Sequence, residues 1–202
     1  MAGQPPNRLW LAADSAITPG LPAPLLYLHT VSPLSDAATV NLLLADYAAA
    51  DPTGKLNIIG GGVAMVGRLP NAPATAPFFL GVFLSAPAAY YGAECLVEIR
   101  LEDKAGNLVS LPGASPDLPT TPLVISQTPK FTVPTPPPHL RLPDRGLKDY
   151  LHGRVQLIVA FPAGLPLNAG EGYSWSVRVD EQARHDWTLE FVVLEQAPAQ
   201  PS

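Results

Sequence analysis

The chain contains little of what most chemical sites need. Its 202 residues include a single cysteine, Cys95, so no disulfide can join two parts of one chain. Cys95 lies in the strand-like run GAECLVEIRLED between Glu94 and Glu98, whose negative charges oppose formation of a thiolate. We therefore expect Cys95 to be a small buried hydrophobic residue rather than a nucleophile.

Charged residues are also scarce, at 14% of the chain, and the 12 lysines and arginines are spread thinly. With a formal net charge of -5, the chain has no basic footprint for a nucleic-acid backbone. Residues 9–28 are apolar but are interrupted by Asp14 and by prolines, so they fit neither a membrane span nor a signal peptide. We expect a soluble protein of a reducing cytoplasm, with part of its hydrophobic surface covered by partners.

Long helices are excluded by proline. The 25 prolines are distributed along the chain, and proline is excluded from helix interiors and central strands. Residues 94–103 alternate between apolar and charged side chains, the period of two that marks a strand with one face in water. The other strand-like runs are 39–46, 55–61, 63–69, 77–85, 108–111, 154–161, 173–181 and 187–195.

About eight strands joined by glycine and proline turns predict an all-β fold. We expect an antiparallel β-sandwich of the immunoglobulin-like or jelly-roll-like kind, with a partly closed barrel as the alternative. Residues 47–54 should connect two strands through the turn Asp51-Pro52-Thr53-Gly54. Residues 182–186 should form the loop of the last hairpin, and residues 146–153 a short helix.

The first 36 residues form a separate segment by composition. Residues 1–36 hold six prolines and only three charges, so they have little means of building a core and are too apolar for a solvated linker. We predict an extended N-terminal arm that packs either on its own domain or on a neighbouring subunit. Its partner-binding residues would be Trp10, Leu25, Leu26, Tyr27 and Leu28.

Residues 37–195 are assigned to the sandwich domain and residues 196–202 to a C-terminal tail. Within the domain, residues 112–143 contain ten prolines. A segment of this kind stays extended in polyproline II geometry without internal hydrogen bonds. We expect a long crossing connection or an exposed strap that binds a partner.

The stretch LLLADYAAADPTGKLNIIGGG, residues 42–62, ends in three glycines. A phosphate-binding loop needs a helix N-terminus after its glycines, usually with Lys and Ser or Thr. Here the β-branched run VAMVGRLP follows and ends in proline. Gly60, Gly61 and Gly62 are therefore predicted to bend or bulge a strand, and nucleotide binding is not expected.

No cluster in the sequence has the spacing of a catalytic or metal site. No G-x-S-x-G motif occurs. Asp180, Glu181 and Asp186 lie near the last hairpin, where calcium binding is an alternative to solvated turn residues. We predict no enzyme, no metal site and no cofactor. The four histidines lie far apart and lack metal-ligand spacing: His29, His139, His152 and His185.

Aromatic residues offer an alternative binding chemistry, because flat rings stack on sugar rings. Trp175 alternates with Val177 and Val179, which predicts a position in the core. Tyr90 and Tyr91 lie in a loop and are the better pair for binding a carbohydrate or a surface polymer.

Three segments together resemble a family of functionally uncharacterised actinobacterial and actinobacteriophage proteins: LLLADYAAADPTGKLNIIGGG, ECLVEIRLEDKAGN and GLPLNAGEGYSWSVRVDEQARHDWTLEFVV. The resemblance covers about residues 39–195 and leaves out the N-terminal arm. It implies a β-sandwich and a phage origin, and it brings no activity and no catalytic residues.

A phage origin would explain the apolar arm and the low charge together, since accessory proteins on capsids bury apolar arms against the shell and perform no chemistry. We expect a non-enzymatic capsid decoration or minor capsid protein. Its partners would be a protein assembly, such as the major capsid protein, and copies of itself, with no nucleic acid or membrane. It would be located in the virion after assembly in the host cytoplasm, or in the cytoplasm if it is not phage-encoded. The alternative is a carbohydrate-binding or surface-polymer-binding module.

Overall fold

Strands account for nearly all of the regular structure in the described part of the chain, as the proline content requires. The computed structural model describes residues 32–51, 55–112, 119–132 and 150–195. In these residues the elements are α1 (Pro33–Ala37), β1 (Thr39–Ala45), β2 (Tyr47–Ala50), β3 (Leu56–Ile59), β4 (Met65–Arg68), β5 (Phe78–Ala86), the 3-10 helix η1 (Ala88–Tyr90), β6 (Val97–Asp103), β7 (Ser110–Leu111), β8 (Thr121–Pro122), β9 (Val124–Gln127), β10 (Gly153–Phe161), β11 (Gly172–Val179) and β12 (Gln182–Glu195).

Two sheets make up the body. β5 lies between β1 and β10 in an antiparallel three-stranded sheet, and the five-stranded sheet has the order β4-β12-β11-β6-β9. All neighbours in the five-stranded sheet are antiparallel except β4 and β12, which run parallel. The remaining described strands form two short antiparallel pairs, β2 with β3 and β7 with β8.

The inward faces of the two sheets share one hydrophobic core. Phe161 of β10 stacks on Trp175 of β11 with ring centroids 5.4 Å apart. Phe78 of β5 approaches Phe191 of β12 at 6.4 Å. The prediction of an all-β sandwich is confirmed, and the described core strands form two separate ladders rather than the single ladder of a closed barrel.

Strand alternation decides which residues are inside. In β11, Trp175, Val177 and Val179 are all fully buried, and in β6 the same holds for Ile99 and Leu101. The residues between them are only partly buried, as expected when successive side chains point to opposite faces of a sheet. The core position predicted for Trp175 is confirmed.

A short helix closes one end of the sandwich. α1 has Pro33 in its first turn, where the missing N–H would have had no helical partner, and the Ala38 N–H donates to Leu34 O at 2.8 Å. Leu34 and Ser35 are buried, so residues 32–38 belong to the folded body. Within the described residues, no helix has the length and apolar character required to traverse a bilayer.

The segment that was expected to connect two strands contains a strand itself. β2 pairs with β3, with Tyr47 opposite Ile59. Asp51 N–H donates to Lys55 O at 2.8 Å, and the Asp51 carboxylate accepts from Lys55 N–H at 2.9 Å. The predicted turn is therefore the end of a hairpin. Three alanines give β2 a weak strand propensity, and its pairing with β3 overrides that weakness.

The last hairpin is tighter than predicted. Asp180 and Glu181 have φ angles of 47° and 67°, as in the two-residue turns that join antiparallel strands. β12 begins directly after them, so residues 182–186 are strand and the predicted loop is wrong. The register of β11 against β12 shifts between Ser176 and Arg178, which marks a bulge in the hairpin near its turn.

Part of the proline-rich segment is sheet. β9 pairs with β6, and β8 pairs with β7. Pro122 lies in β8, a two-residue outer strand where a missing N–H is tolerated. Residues 113–118 and 133–149 lie outside the described residues, and with them the triple proline and most of the helix predicted at 146–153.

The three glycines bend the chain between two strands, as predicted. Gly60 and Gly62 have φ angles of 63° and 87°, a left-handed conformation that costs other residues about 1–2 kcal/mol. The Gly62 N–H donates to Leu44 O at 2.9 Å, which ties the turn back to β1. The chain thereby passes from β3, the partner of β2, to β4 in the five-stranded sheet.

Gly60→Ala and Gly62→Ala should each lower the free energy of unfolding by about 1–2 kcal/mol, because both positions need a positive φ. A Cβ at Gly60 would also meet the carboxylate of Asp46, which is exposed and can rotate away, so the two variants should lose similar stability. Urea unfolding followed by tryptophan fluorescence measures both changes. Gly172→Ala is the matched control, because the nearest atom to a Cβ there is 4.0 Å away. Equal stability of all three variants would contradict this account of the turn.

Candidate functional site

The outer face of the three-stranded sheet carries apolar side chains. Leu43, Gly81 and Ile158 lie opposite one another across β1, β5 and β10. Phe79 and Phe83 are two positions from Gly81 on either side, so they share its face of the sheet. All four side chains are half-buried. We call Leu43, Phe79, Phe83 and Ile158 the apolar face.

Gly81 leaves room for a neighbouring side chain at the centre of the apolar face. A Cβ at Gly81 would lie 2.8 Å from Phe83 Cζ and 3.7 Å from Ile158 Cδ1. The Phe83 ring therefore occupies the space above the glycine, beside Ile158. The two side chains shield each other in part, and both remain partly open to solvent.

Exposed apolar residues extend the apolar face at one margin. Tyr47 of β2 meets Phe79 edge to face with ring centroids 5.5 Å apart, and Tyr47 is 47% exposed. Ile59, its partner across the hairpin, is also exposed. Apolar surface thus continues from the sheet onto the β2–β3 hairpin.

A groove of about 480 Å³ lies at the margin near α1. Phe83 forms part of its wall, together with Tyr150, which is 81% exposed. An apolar strip beside amide, imidazole and guanidinium groups can receive an extended peptide, which needs both apolar contacts and hydrogen-bond partners. The polar side chains of the groove are Asn41, His152, Arg154 and Gln156.

The outer face of the five-stranded sheet is largely polar. Arg100 pairs with Glu98 at 3.0 Å, and the Ser176 hydroxyl donates to Glu102 at 2.9 Å. Apolar exposure is concentrated at the margin formed by β4 and β12, where Met65 is 60% exposed. The two layers therefore differ in the surface that they present.

A larger groove, of about 1060 Å³, lies beside that margin. Asp103 and Glu171 line it, and both carboxylates accept hydrogen bonds from their own loops. Hydrogen bonds from Asn107 lower the pKa of Asp103. The Tyr173 hydroxyl donates to Glu171 at 3.0 Å, and burial raises the pKa of Tyr173. These contacts shape the loops around the groove.

Asp180 joins three segments of the chain. Its carboxylate accepts from Ser32 Oγ at 2.7 Å and from Leu96 N–H at 2.9 Å. Asp186 pairs with Arg184 at 3.1 Å on the surface. In the described residues, no group of three or more histidine, cysteine, aspartate or glutamate side chains is arranged to hold a metal ion. The geometry of Asp180 indicates a structural role.

Tyr90 and Tyr91 lie at the end of the sandwich that α1 closes. The Tyr90 hydroxyl donates to Pro33 O at 2.9 Å, and the Tyr91 hydroxyl donates to Leu151 O. Both residues are half-buried. Each hydroxyl therefore fastens a different segment to the 3-10 helix region, and sugar binding by this pair stays a prediction.

Cys95 is 2% exposed, which confirms the buried position predicted for it. Burial raises the pKa of the thiol from 9.0 to about 11, and the negative charge of Asp180 adds to the increase. Because the thiolate is the reactive form of cysteine, this environment keeps Cys95 inert at neutral pH.

The remaining predicted residues fall in different places. His152 lines the smaller groove and His185 is exposed in the bulged part of β12. His29 and His139 lie outside the described residues, as do the five predicted partner-binding residues of the arm. The apolar face itself was not predicted, although the run PFFLGVFLS carried the signal: it is apolar at nearly every position, as in strands covered on both faces.

Tyr90→Phe should lower the free energy of unfolding by about 0.5–1.5 kcal/mol, because it removes one hydrogen bond and keeps the ring. Thermal or urea unfolding measures the change. Tyr150→Phe, at an exposed tyrosine, is the control and should leave the free energy of unfolding unchanged.

A glycan array tests the alternative function. A glycan that binds the wild type and does not bind a Tyr90→Ala, Tyr91→Ala variant of normal stability would favour sugar binding over a structural role.

Iodoacetamide should leave Cys95 unmodified in the native protein at about pH 8 and should modify it fully after unfolding, because burial suppresses the thiolate. Mass spectrometry counts the modified thiols. Rapid modification of the native protein would contradict the buried, protonated thiol.

The raised pKa of Cys95 also predicts a pH dependence of stability. The contribution is fully present below pH 9.0 and is lost as the pH rises through about 11, because the unfolded thiol releases its proton first. The wild type should therefore lose on the order of 2–3 kcal/mol relative to Cys95→Ala over this range. A constant stability difference between the two proteins from pH 8 to about 11 would contradict the assignment.

No family model and no curated protein matches the chain, so function is inferred from the surfaces described above.

Proposed function

We propose that this chain is a non-enzymatic structural protein that binds a protein assembly, as a decoration or minor capsid protein of a phage. Its anchor is the N-terminal segment, with Trp10, Leu25, Leu26, Tyr27 and Leu28 as the contact residues. Its partners are the capsid protein and further copies of the chain. Its location is the virion, after assembly in the host cytoplasm.

The apolar face is the observation that carries this proposal. Complete burial of an exposed Phe, Leu or Ile side chain contributes about 1.5–3 kcal/mol. The four side chains of the apolar face are already mostly buried, so a cover would add about a few tenths of a kcal/mol for each of them. Apolar side chains on the outer face of a sheet form a surface that a protein partner can cover.

The hydrogen bonding of the polar groups also supports a structural role. Asp180 joins Ser32 to Leu96, and Tyr90 holds Pro33. The lowered pKa of Asp103 arises from hydrogen bonds within its own turn. A carboxylate prepared for acid or base catalysis would instead have its pKa moved toward neutrality. These groups therefore support a protein that holds its shape to present surfaces.

The capsid setting rests on two sequence features. Residues 39–195 resemble actinobacteriophage proteins, and residues 1–31 combine prolines with apolar clusters. An apolar arm attached to a sandwich is suited to fastening a domain onto a larger shell. The charge of the arm is low, so little desolvation of ions opposes its burial.

Removal of residues 1–31 tests the proposal. The deletion stops at residue 31 because Ser32 binds Asp180 and Leu34 is buried in the body. The truncated chain should keep the near-ultraviolet circular dichroism of the full chain and should no longer cosediment with particles of the phage whose genome carries the sequence. The full-length Val192→Ser variant, at an exposed apolar residue on the outer face of the five-stranded sheet, is the control and should still cosediment.

Two outcomes would contradict attachment to the assembly, and a third would contradict the phage assignment. One is equal cosedimentation of the truncated and full-length chains. The other is absence of the protein from purified particles when their proteins are identified by mass spectrometry. A gene neighbourhood without virion structural genes would likewise contradict the phage assignment.

A further inference from the structure

Strand β10 is one edge of the three-stranded sheet, and its backbone shows which groups face away from β5. Arg154 N–H donates to Thr132 O at 3.0 Å, and Thr132 N–H donates to Arg154 O at 3.1 Å. Since β10 pairs with β5 on its other side without a register shift, every second residue after Arg154 has its backbone groups turned away from β5. The residues turned this way are Gln156, Ile158 and Ala160.

The backbone groups of these three residues are open. Among the described parts of the chain, nothing forms a hydrogen bond with their N–H or C=O groups. The opposite edge differs, because Cα atoms of β12 lie within 8 Å of β1 and Leu44 O accepts from Gly62 N–H. Open edges in proteins are commonly guarded by a lysine, a proline or a bulge. Residues 155–160, VQLIVA, contain no such guard, so a further strand can pair with β10.

The core is also incompletely covered along this edge. Leu157 and Val159 point inward from β10 and pack against the core, yet both are only partly buried. Leu80 and Val82, which face the same core from the centre of the sheet, are fully buried. A strand beside β10 would therefore gain backbone hydrogen bonds and would also cover apolar side chains. An extended, uncharged β-strand meets both requirements.

We propose that the strand received at this edge is β10 of a second copy of the chain, antiparallel and related by a two-fold axis at Ile158. The two three-stranded sheets then form one continuous sheet. The inference rests on the proposed function, which includes further copies among the partners, and it identifies the strand through which they meet. Pairing across a two-fold axis is reciprocal, so Ile158 faces Ile158 and Gln156 faces Ala160 of the other copy.

The spacing of the open groups is self-complementary. Positions 156, 158 and 160 are symmetric about Ile158, so each N–H of one copy meets a C=O of the other, and facing residues exchange both hydrogen bonds. The lengths match as well. β10 ends at Phe161, and Pro162, which has no N–H, would come opposite Arg154, where Thr132 already occupies the edge. The strand of the second copy therefore ends where the pairing with Thr132 begins.

The side chains of the segment also fit a copy of itself. A charged residue at a two-fold axis would face its own sign, and like charges directly opposite each other destabilise a strand pair. Residues 155–161 carry no formal charge. Two isoleucines face each other at the axis, and Leu157 faces Val159 on the inner side. Apolar and β-branched pairs of this kind favour the association of strands.

Charge substitutions at the two-fold axis test the proposal in the full-length chain. Ile158→Lys alone and Ile158→Glu alone each place two like charges opposite each other, whereas a mixture of the two variants places a lysine opposite a glutamate. Sedimentation velocity at about 1–100 µM should show a wild-type dimer and at least about tenfold weaker association of each variant alone. The mixture should form a one-to-one dimer, because opposite charges then meet at the axis.

Ser126→Lys and Ser126→Glu are the matched controls, because Ser126 is exposed on β9, an edge strand of the other sheet. Both should dimerise like the wild type. If near-ultraviolet circular dichroism shows that the Ile158 variants do not fold, Gln156→Pro replaces them. The Gln156 N–H points away from β5, so a proline there leaves the pairing with β5 intact. It removes a donor from the open edge, and dimerisation should be lost.

A wild type that stays monomeric over this range would overturn the proposal, whether residues of the same chain or a foreign protein cover the edge. Unchanged association of either Ile158 variant, or a mixture that associates as weakly as its components, would overturn it as well. Loss of particle binding after truncation, combined with a monomeric wild type, would leave the proposed function standing and refute only this contact. A dimer that the Ile158 variants abolish, formed by a full-length chain that binds no particles, would keep this contact and refute attachment to the assembly.

Discussion

Burial of apolar side chains between the three-stranded sheet and the five-stranded sheet is the interaction on which the rest of the fold depends. Leu80 and Val82 on one side and Trp175 and Val177 on the other are all fully buried. The indole N–H groups of Trp175 and Trp187 find no acceptor among the described residues, a cost of about 1–3 kcal/mol each. Burial of a tryptophan side chain contributes roughly 4–6 kcal/mol, so packing exceeds the polar cost and the core closes without a disulfide.

Strand β5 contributes side chains both to the core and to the apolar face. β5 has large apolar residues facing inward, and Phe79 and Phe83 facing outward across Gly81. An antiparallel sheet with one face in water would carry polar residues on the outside, as the five-stranded sheet does with Glu98, Arg100 and Glu102. The apolar outer side of β5 is the physical basis for assigning protein contact to the three-stranded side, and the exposed side chains of Met65 and Val192 form a second apolar margin on the five-stranded side.

The polar residues mainly fix the ends of the sandwich. Asp180, Tyr90 and Tyr91 join α1, β6, β10 and the last hairpin at one end through hydrogen bonds. Ser32, the first described residue, is held at this end by Asp180.

Much of the sandwich could be predicted from local pattern. The period of two in β6 and β11 identified the buried faces, and the proline content excluded long helices. β2 was missed because alanine is a weak strand former, and the turn at Asp180 and Glu181 was missed because glutamate rarely adopts a positive φ. The apolar face was missed because the run PFFLGVFLS is apolar at nearly every position. Such a run indicates that both faces of the strand are covered, but it does not identify what covers the outer face. Pairing across β1, β5 and β10, which no local pattern contains, was needed to bring Leu43 and Ile158 beside Phe83.

Photo-cross-linking from position 83 tests the central claim that the outer side of β5 contacts another protein molecule. A benzophenone side chain replaces Phe83 in the full-length chain, and the products are separated by mass and mapped by peptide sequencing. We expect a product heavier than the single chain in which position 83 is joined to a second protein molecule. Cross-links to residues of the same chain only, or no cross-links under conditions in which a benzophenone at Tyr150 reacts, would contradict it.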